Sequence, residues 1–551
     1  MRVHNIFRIV VGAAAIALLT ASSAPVAAFQ ASADPAVAGE DGPQAAGVLV
    51  NPHRLQASPH APGPGQVREV PRLYPVDDAT FGLLKARANA AAPAAPHVPG
   101  APPASAPAPQ FPTVDFSDAG RWNPPDGALA VGPTSVVVAV NEALAAYSRT
   151  GALWAPGVVS LQSLFDLPGA SVFDPRALYD KASGHFVLLA VTANSSTRTS
   201  YYTLAVSRNS APLNAATDWC TYKLDAATGS GGARTWADFP GLGTDGNNVY
   251  ITSNQFAFGS NRFQYARLLV LPKASVYPGP SGCPTATSTD FRNLKNPDGS
   301  SAFSVQPASA PDSPTGQTEL HLVNAIWASG SNLALRKVTS TATGTPQLSA
   351  PTWVAAGDGA IGFYDIPADA QQPAGPAIES GDTRLSSAVY RYGAIYTANT
   401  TRTVDQTRVT NSVTPNAYAN VQWYRVTPSG SAYVGRTWAA SSQDVAYYFP
   451  GVLPGCTTAA TGSSCAVPFV ALELSGSGPA QAAAAYRARD TAAPQPYASG
   501  VSAYSLNGRW GDYPAVAADP TDATAVWLLG QYAKATSAWG TAVGQVTPST
   551  P

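Results

Sequence analysis

Charge is scarce in this chain. Only 12% of its 551 residues are charged, and Lys+Arg 32 against Asp+Glu 33 leave a net charge of -1. A chain so balanced has no basic footprint for phosphates, which argues against nucleic acid or an anionic membrane as partner. Cysteine is limited to Cys220, Cys283, Cys456 and Cys465, with no C-x-x-C and no close Cys/His pair, so a zinc site is not indicated. Only two of the six histidines, His185 and His321, lie beyond residue 110, and both sit in strand-like runs. No H-E-x-x-H, Walker loop, G-x-S-x-G elbow or EF-hand loop is present. Gly241 to Gly246 spells G-x-G-x-x-G, but it leads into the strand-like NNVYITSN and not into a helix that would hold a pyrophosphate. Beyond the amino terminus no stretch reaches the ~20 consecutive apolar residues of a spanning helix.

What is abundant points one way. Gly 47, Pro 50, Tyr 23 and Trp 11 suit many short strands joined by turns, and 45% hydrophobic residues is ample for a core. Sustained helical periodicity is absent from about Phe111 onward, where short β-branched and aromatic runs are bounded by Gly, Pro, Asn or Asp. At the amino terminus Arg2 and Arg8 precede an apolar run, Ile9 to Leu19, followed by the small residues Val26-Ala27-Ala28. That is the layout of a secretory signal removed after Ala28. No membrane span is expected after its removal, and a periplasmic or extracellular location follows. Residues 29–110 are Ala/Pro-rich and read as a disordered linker or propeptide, with a short helix expected within Tyr74 to Arg87. In an exported chain the four cysteines read as two disulfides. Of the three pairings possible, nearest-neighbour pairing, Cys220–Cys283 and Cys456–Cys465, is expected.

One unit recurs. RTWADFPGLGTDGNNVYITSNQF, from Arg234, returns as RWGDYPAVAADPTDATAVW from Arg509, as FDPRALYDKASGHFVLLAV from Phe173, and more loosely as PPDGALAVGPTSVVVAVN from Pro124. Degenerate copies begin near Phe303, Arg384 and Ala446. Repetition of one supersecondary unit every few dozen residues is how propellers are written. The markers predict inner strands near Asp126, Asp174, Asp238, Phe303, Arg384, Ala446 and Asp512. Residues 111–551 are therefore expected to be all-β, a seven-bladed β-propeller of four-stranded blades. Only about three strands fit after Asp512, so Pro112–Phe116 is expected to supply the last one and close the ring.

These repeats resemble the sialidase-like (BNR-type) seven-bladed propellers found in many exported bacterial proteins. The likeness covers most of residues 120–545. The family's Asp-box turn, S-x-D-x-G-x-T-W, survives only as the ending of SGGARTW, with Gly231 where its Asp belongs. The resemblance implies a propeller and a carbohydrate-related role. It assigns neither the arginine triad nor the Tyr/Glu pair of true sialidases.

Asp126, Asp174, Asp238 and Asp512 mark the entrances of repeated inner strands, so equivalent positions would gather them at one channel mouth. Two such carboxylates would supply the acid and the nucleophile or base of a glycosidase; several would hold Ca²⁺ in the channel. Equally, each would cap a turn by accepting from backbone N–H groups, since a device repeated in several blades is more naturally structural. Arg176, Arg384, Arg391 and Arg509 would clamp a ligand carboxylate or sulfate, or pair with nearby aspartates. Trp236, Trp510 and Tyr513 would stack on a sugar or pack between blades. Glu142 is a further candidate base. Three functions stay open: a monomeric exported propeller that binds a glycan or other cell-surface ligand at its channel mouth, a carbohydrate-active hydrolase or lyase, and an interaction scaffold of the cell envelope. Apart from the Ca²⁺ option, no cofactor is indicated.

Overall fold

The computed structural model describes residues 42–44, 48–50, 67–91, 110–212, 217–310, 312–313, 319–339, 345–356, 364–402, 419–437, 445–458, 465–478, 481–490, 492–513 and 515–549. The expected signal, residues 1–28, lies outside them. Apart from one long helix, α1 (Asp78–Ala91), the described chain is nearly all β, in antiparallel meanders.

Each meander begins with one strand. These first strands are β1 (Ala128–Val131), β2 (Val172–Asp180), β3 (Thr235–Thr244), β4 (Gln306–Ser309), β5 (Leu385–Arg391), β6 (Ala446–Cys456) and β7 (Ala515–Ala518). Three further strands follow in antiparallel order, as in Ser135–Val140, Ala143–Ser148 and Val159–Ser160 behind β1. Behind β7 only Val526–Ala535 and Ala538–Val546 follow in sequence. The fourth strand is Phe111–Asp115, with Val543 opposite Phe111 and Gly540 opposite Asp115. The first strands touch in order, β1 to β2 and so on to β7, and β7 returns to β1.

Sequence and packing agree on why the faces bury. Runs such as SVVVAV in Ser135–Val140 are apolar on both sides of the strand and buried throughout, because another sheet covers each face. One apolar layer joins the β2 and β3 sheets through Leu189, Tyr202, Tyr222, Trp236, Ile251 and Phe256. Another joins the β7 and β1 sheets through Trp527, Leu529, Trp539, Val136 and Val138. Burying each such side chain contributes about 1.5–3 kcal/mol.

Two features depart from four-stranded blades preceded by a bare spacer. The β4 and β5 meanders join into one nine-stranded sheet, through parallel pairing of Ala308 with Ala388 and of Ala355 with Ser431. Adjacent first strands run the same way, and where small residues such as Ala308 and Ala388 face each other the backbones come close enough to bond. Within the Ala/Pro-rich span, Gly42–Gln44 adds to the edge of the β3 sheet and Val48–Val50 to that of the β2 sheet. Arg68–Glu69 pairs in parallel with Trp122–Asn123. Helix α1 follows, its first turn capped by Asp77, whose Oδ1 accepts from Thr80 N at 2.8 Å. Among the described residues no helix is long and apolar enough to cross a membrane.

Disulfides link Cys220 to Cys283, between the β2 and β3 sheets, and Cys456 to Cys465, closing a short loop after β6.

Candidate functional site: an acidic ring and a blind channel

At the start of β1, β2, β3, β4 and β6 the backbone is bent. Asp126 (φ 47°), Asp174 (φ 54°), Phe239 (φ 51°), Ser304 (φ 51°) and Phe449 (φ 49°) all take the left-handed conformation. β2, β3, β5 and β6 each carry a bulge at the same place, which re-aims the side chains there. The polar side chains at these bends stitch each meander to a neighbour. Asp126 Oδ1 accepts from Asp512 N at 2.7 Å, and Asn141 Oδ1 from Asp174 N at 2.8 Å. Asp174 Oδ2 accepts from Phe239 N at 3.1 Å and from Tyr513 Oη at 2.8 Å. Asn254 Oδ1 accepts from Ser304 N at 2.7 Å, and Thr400 Oγ1 from Phe449 N at 2.8 Å. The capping role expected of the aspartates holds for Asp126 and Asp174, but it runs between meanders and not within one turn.

The four marker aspartates thus share one end of the ring, and their environments separate them. Burial pushes Asp126, Asp174 and Asp238 up to about 7, with the neighbouring carboxylates adding to the shift and Arg384 partly offsetting it at Asp238. Burial opposes ionisation of Asp512 too, but the guanidinium groups of Arg509 and Arg72 hold it well below the usual carboxylate range. Arg509 Nη1 donates to Asp512 Oδ1 at 2.8 Å and Arg72 Nε to the same atom at 2.7 Å. Asp238 stands apart. Only 4% exposed, it has no hydrogen-bond or ion-pair partner among the described residues. The ring makes a poor Ca²⁺ cage, because the oxygens of Asp126, Asp174 and Asp512 face N–H, hydroxyl and guanidinium donors. Among the described residues no group of three or more His, Cys, Asp or Glu side chains converges to hold a metal.

Residues 67–91 close this end. Arg72 enters among Asp512, Glu379 (2.9 Å from Nη1) and the Trp510 carbonyl, its guanidinium 4.6 Å from the centre of the Phe449 ring. Tyr74 Oη donates to Glu379 at 2.6 Å and its ring stacks on Phe81 at 3.5 Å. Lys85, buried, donates to the carbonyls of Pro367 and Gly381 and to Ser380 Oγ, and pairs with Asp369 at 3.0 Å. Sequence reading missed Arg72, Lys85, Glu379 and Asp382. The available signal was EVPRLYPVDDATFGLLKAR, a charged and aromatic island in an Ala/Pro-rich span.

The remaining candidates divide. Arg384 forks onto Asp382 (2.8 and 2.9 Å) and donates to the Leu73 carbonyl at 2.6 Å. Arg391 sits at the opposite end of its strand, bonded to Asp312 at 2.6 Å and to the Pro454 carbonyl. Trp236 and Trp510 are interior; Trp236 packs against Phe173 and Phe256, and Trp510 Nε1 donates to Ser475 Oγ at 2.9 Å. Glu142 Oε1 accepts from Val172 N at 2.8 Å, tying down the start of β2.

Arg176 is different. Its Nε donates to the Pro240 carbonyl at 2.7 Å and Nη2 to the Ser386 carbonyl at 3.3 Å, and its guanidinium lies 3.6 Å from the centre of the Tyr513 ring. No carboxylate pairs with it among the described residues. It lines a cavity of about 130 Å³ enclosed by the first strands, whose walls include Leu129, Leu178, Leu242, Pro307, Val389, Leu453 and Val516. The cavity reaches exposed Lys181 and half-buried Pro520 at one end, and the other end is blocked by the buried ring.

No family model matches the chain, and no curated protein does. Among solved structures it is similar to Trypanosoma rangeli sialidase, at 10% identity and a TM-score of 0.34, over 68% of this chain and 54% of that one. It is also similar to Kuenenia stuttgartiensis hydrazine synthase, at 9% and 0.34 over 77% and 95%. For the endo-1,5-alpha-L-arabinanase of Thermotoga petrophila the values are 9% and 0.27 over 76% and 97%. The chain spans about half the length of the sialidase it matches. At such identities and scores these likenesses assign neither family nor activity.

Proposed function

We propose that this chain is an exported, monomeric seven-bladed β-propeller that binds a glycan or another extracellular ligand in its central channel. Seven blades follow from reading the joined β4–β5 sheet as two blades bridged by short parallel pairings, with Phe111–Asp115 closing the seventh. Two disulfides fit an oxidising compartment. The observation that carries the binding reading is Arg176, a guanidinium without a carboxylate partner on the wall of a cavity that is open at one end and closed at the other. The ligand enters past Lys181 and Pro520, and its polar group meets Arg176.

The test is retention of the full chain on immobilised glycans and organic acids, beside an Arg176→Gln variant that melts like the parent. Retention on at least one ligand, lost in the variant, supports the reading; no retention on any, or equal retention by the variant, overturns it.

A second reading, a glycoside hydrolase or lyase, draws on Asp238, a buried carboxylate without a hydrogen bond, and on the 2.8 Å bond from Tyr513 to Asp174 nearby. It requires residues 67–91 to leave the ring. New reducing ends or unsaturated products that vanish in a folded Asp238→Asn variant would establish it.

A further inference from the structure

Residues 67–91 are gripped in the way a bound peptide is gripped. Their main chain is read twice by arginine: Arg509 Nη2 donates to the Val70 carbonyl at 3.2 Å, and Arg384 Nη2 to the Leu73 carbonyl at 2.6 Å. It is read again by the parallel pairing of Arg68–Glu69 with Trp122–Asn123. Their side chains are read by carboxylates. Arg72 meets Asp512 and Glu379, Lys85 meets Asp369, and Tyr74 Oη meets Glu379. Backbone pairing with alternate side-chain pockets is the general form of extended-peptide recognition. Charge-assisted hydrogen bonds supply most of the named polar contacts, and the apolar part is Val70 and Leu73, which join the large cluster around Trp122, Phe173 and Trp236, with a smaller cluster of Tyr74, Phe81, Ala88 and Ile366.

Between Val67 and Gln110 the cationic groups lie in this segment alone. ANAAAPAAPHVPGAPPASAPAPQ, which carries the chain from Ala88 to the first strand of the ring, contains no Lys, Arg, Asp or Glu. Covalent attachment raises the local concentration of the segment. Without the segment, Asp512, Glu379 and Asp369 would face one another across the end of the ring with two cations fewer, an arrangement complementary to another peptide carrying the same charges.

We infer that the acidic end of the ring is a receptor for a peptide whose extended half bears arginine and whose helical half bears lysine, filled here in cis by residues 67–91 and able to take the same peptide from another molecule. This surface is distinct from the channel and its Arg176, and the inference does not depend on the channel's ligand.

The experiment uses the full chain with Arg72→Ala and Lys85→Ala and a fluorescein-labelled peptide of residues 67–91, followed by anisotropy. The variant is expected to bind the peptide, the parent at least 10-fold more weakly, and a peptide lacking both cations at least 30-fold more weakly. Raising salt from low to near-molar should weaken binding further. A folded variant that ignores the peptide, or binds the charge-stripped one equally, overturns the proposal. Should the variant fail to fold, the parent with a protease site placed between residues 91 and 110 is cut and mixed with labelled peptide. Exchange of the label into the ring supports the proposal, and no exchange over days overturns it.

Discussion

Arg72 and Asp512 stand 440 residues apart, and Arg72 Nε donates to Asp512 Oδ1 at 2.7 Å in a site where both side chains are almost fully buried. Removing one partner of a buried pair costs about 3–5 kcal/mol because the other charge is left uncompensated. Asp512 keeps Arg509, so Arg72→Ala is expected near the lower end, about 3 kcal/mol by urea unfolding. The same variant should become sensitive to protease within residues 67–91. A variant that unfolds with the parent's midpoint would show that the segment does not hold the ring.

The equivalent aspartates should respond unequally. Asp126 accepts from Asp512 N and Asn141 Nδ2, so Asp126→Ala leaves the buried Asp512 N without a partner and Asn141 Nδ2 with only the Pro124 carbonyl, and is expected to cost about 2 kcal/mol. Asp238 has no such bond and is buried at a pKa of about 7, so Asp238→Asn should be neutral or stabilising at pH 8. Equal losses from both variants would contradict the assignment.

That contrast shows where sequence reading stops. The markers at Asp126, Asp174, Asp238, Phe303, Arg384, Ala446 and Asp512 fall within three residues of where β1 to β7 begin, because a turn residue, a Pro and an apolar run are local signals. The closing strand was legible too; the expected Pro112–Phe116 is Phe111–Asp115. What each aspartate does was not legible, since its partner lies in another repeat, as Phe239 N does for Asp174. Nor was the closure by residues 67–91, which rests on pairs formed across more than 280 residues, such as Lys85 with Asp369 and Arg72 with Asp512. Composition favours a spacer there, and a few charged side chains overrule it.

Stability should fall as pH rises. Asp126, Asp174, Asp238 and Glu142 titrate in the folded chain at about 7, above the ~4 of an unfolded carboxylate. Between these values the folded state binds more protons, so it loses stability on going from about pH 4 to 7. Asp512, Glu379 and Asp382 are depressed, so their contribution is present above about pH 4 and is lost only below it. His321, lowered by burial, opposes the trend weakly between its folded pKa and the ~6.5 of an unfolded imidazole. The urea midpoint is therefore expected to be higher at pH 5.5 than at pH 8, with a shallower slope in Asp238→Asn. A midpoint that rises with pH would contradict this.

The two disulfides should differ in worth. Cys220–Cys283 spans 63 residues and Cys456–Cys465 spans 9. Loop-closure entropy alone makes the longer bridge worth roughly 2 kcal/mol more. Paired Cys→Ala variants, unfolded in urea, check the difference, and a larger loss from the short bridge would count against it.

The end of the ring past Lys181 and Pro520 is the open one, and residues 67–91 fill the other. Treating the folded full chain with phenylglyoxal and mapping the modified arginines by mass spectrometry tests this most directly. Arg176, on the channel wall and without a carboxylate partner, should be modified well before Arg72, Arg384 and Arg509, and a bound channel ligand should protect it. Faster modification of Arg72, Arg384 or Arg509 would place the open end at the acidic ring and contradict the account.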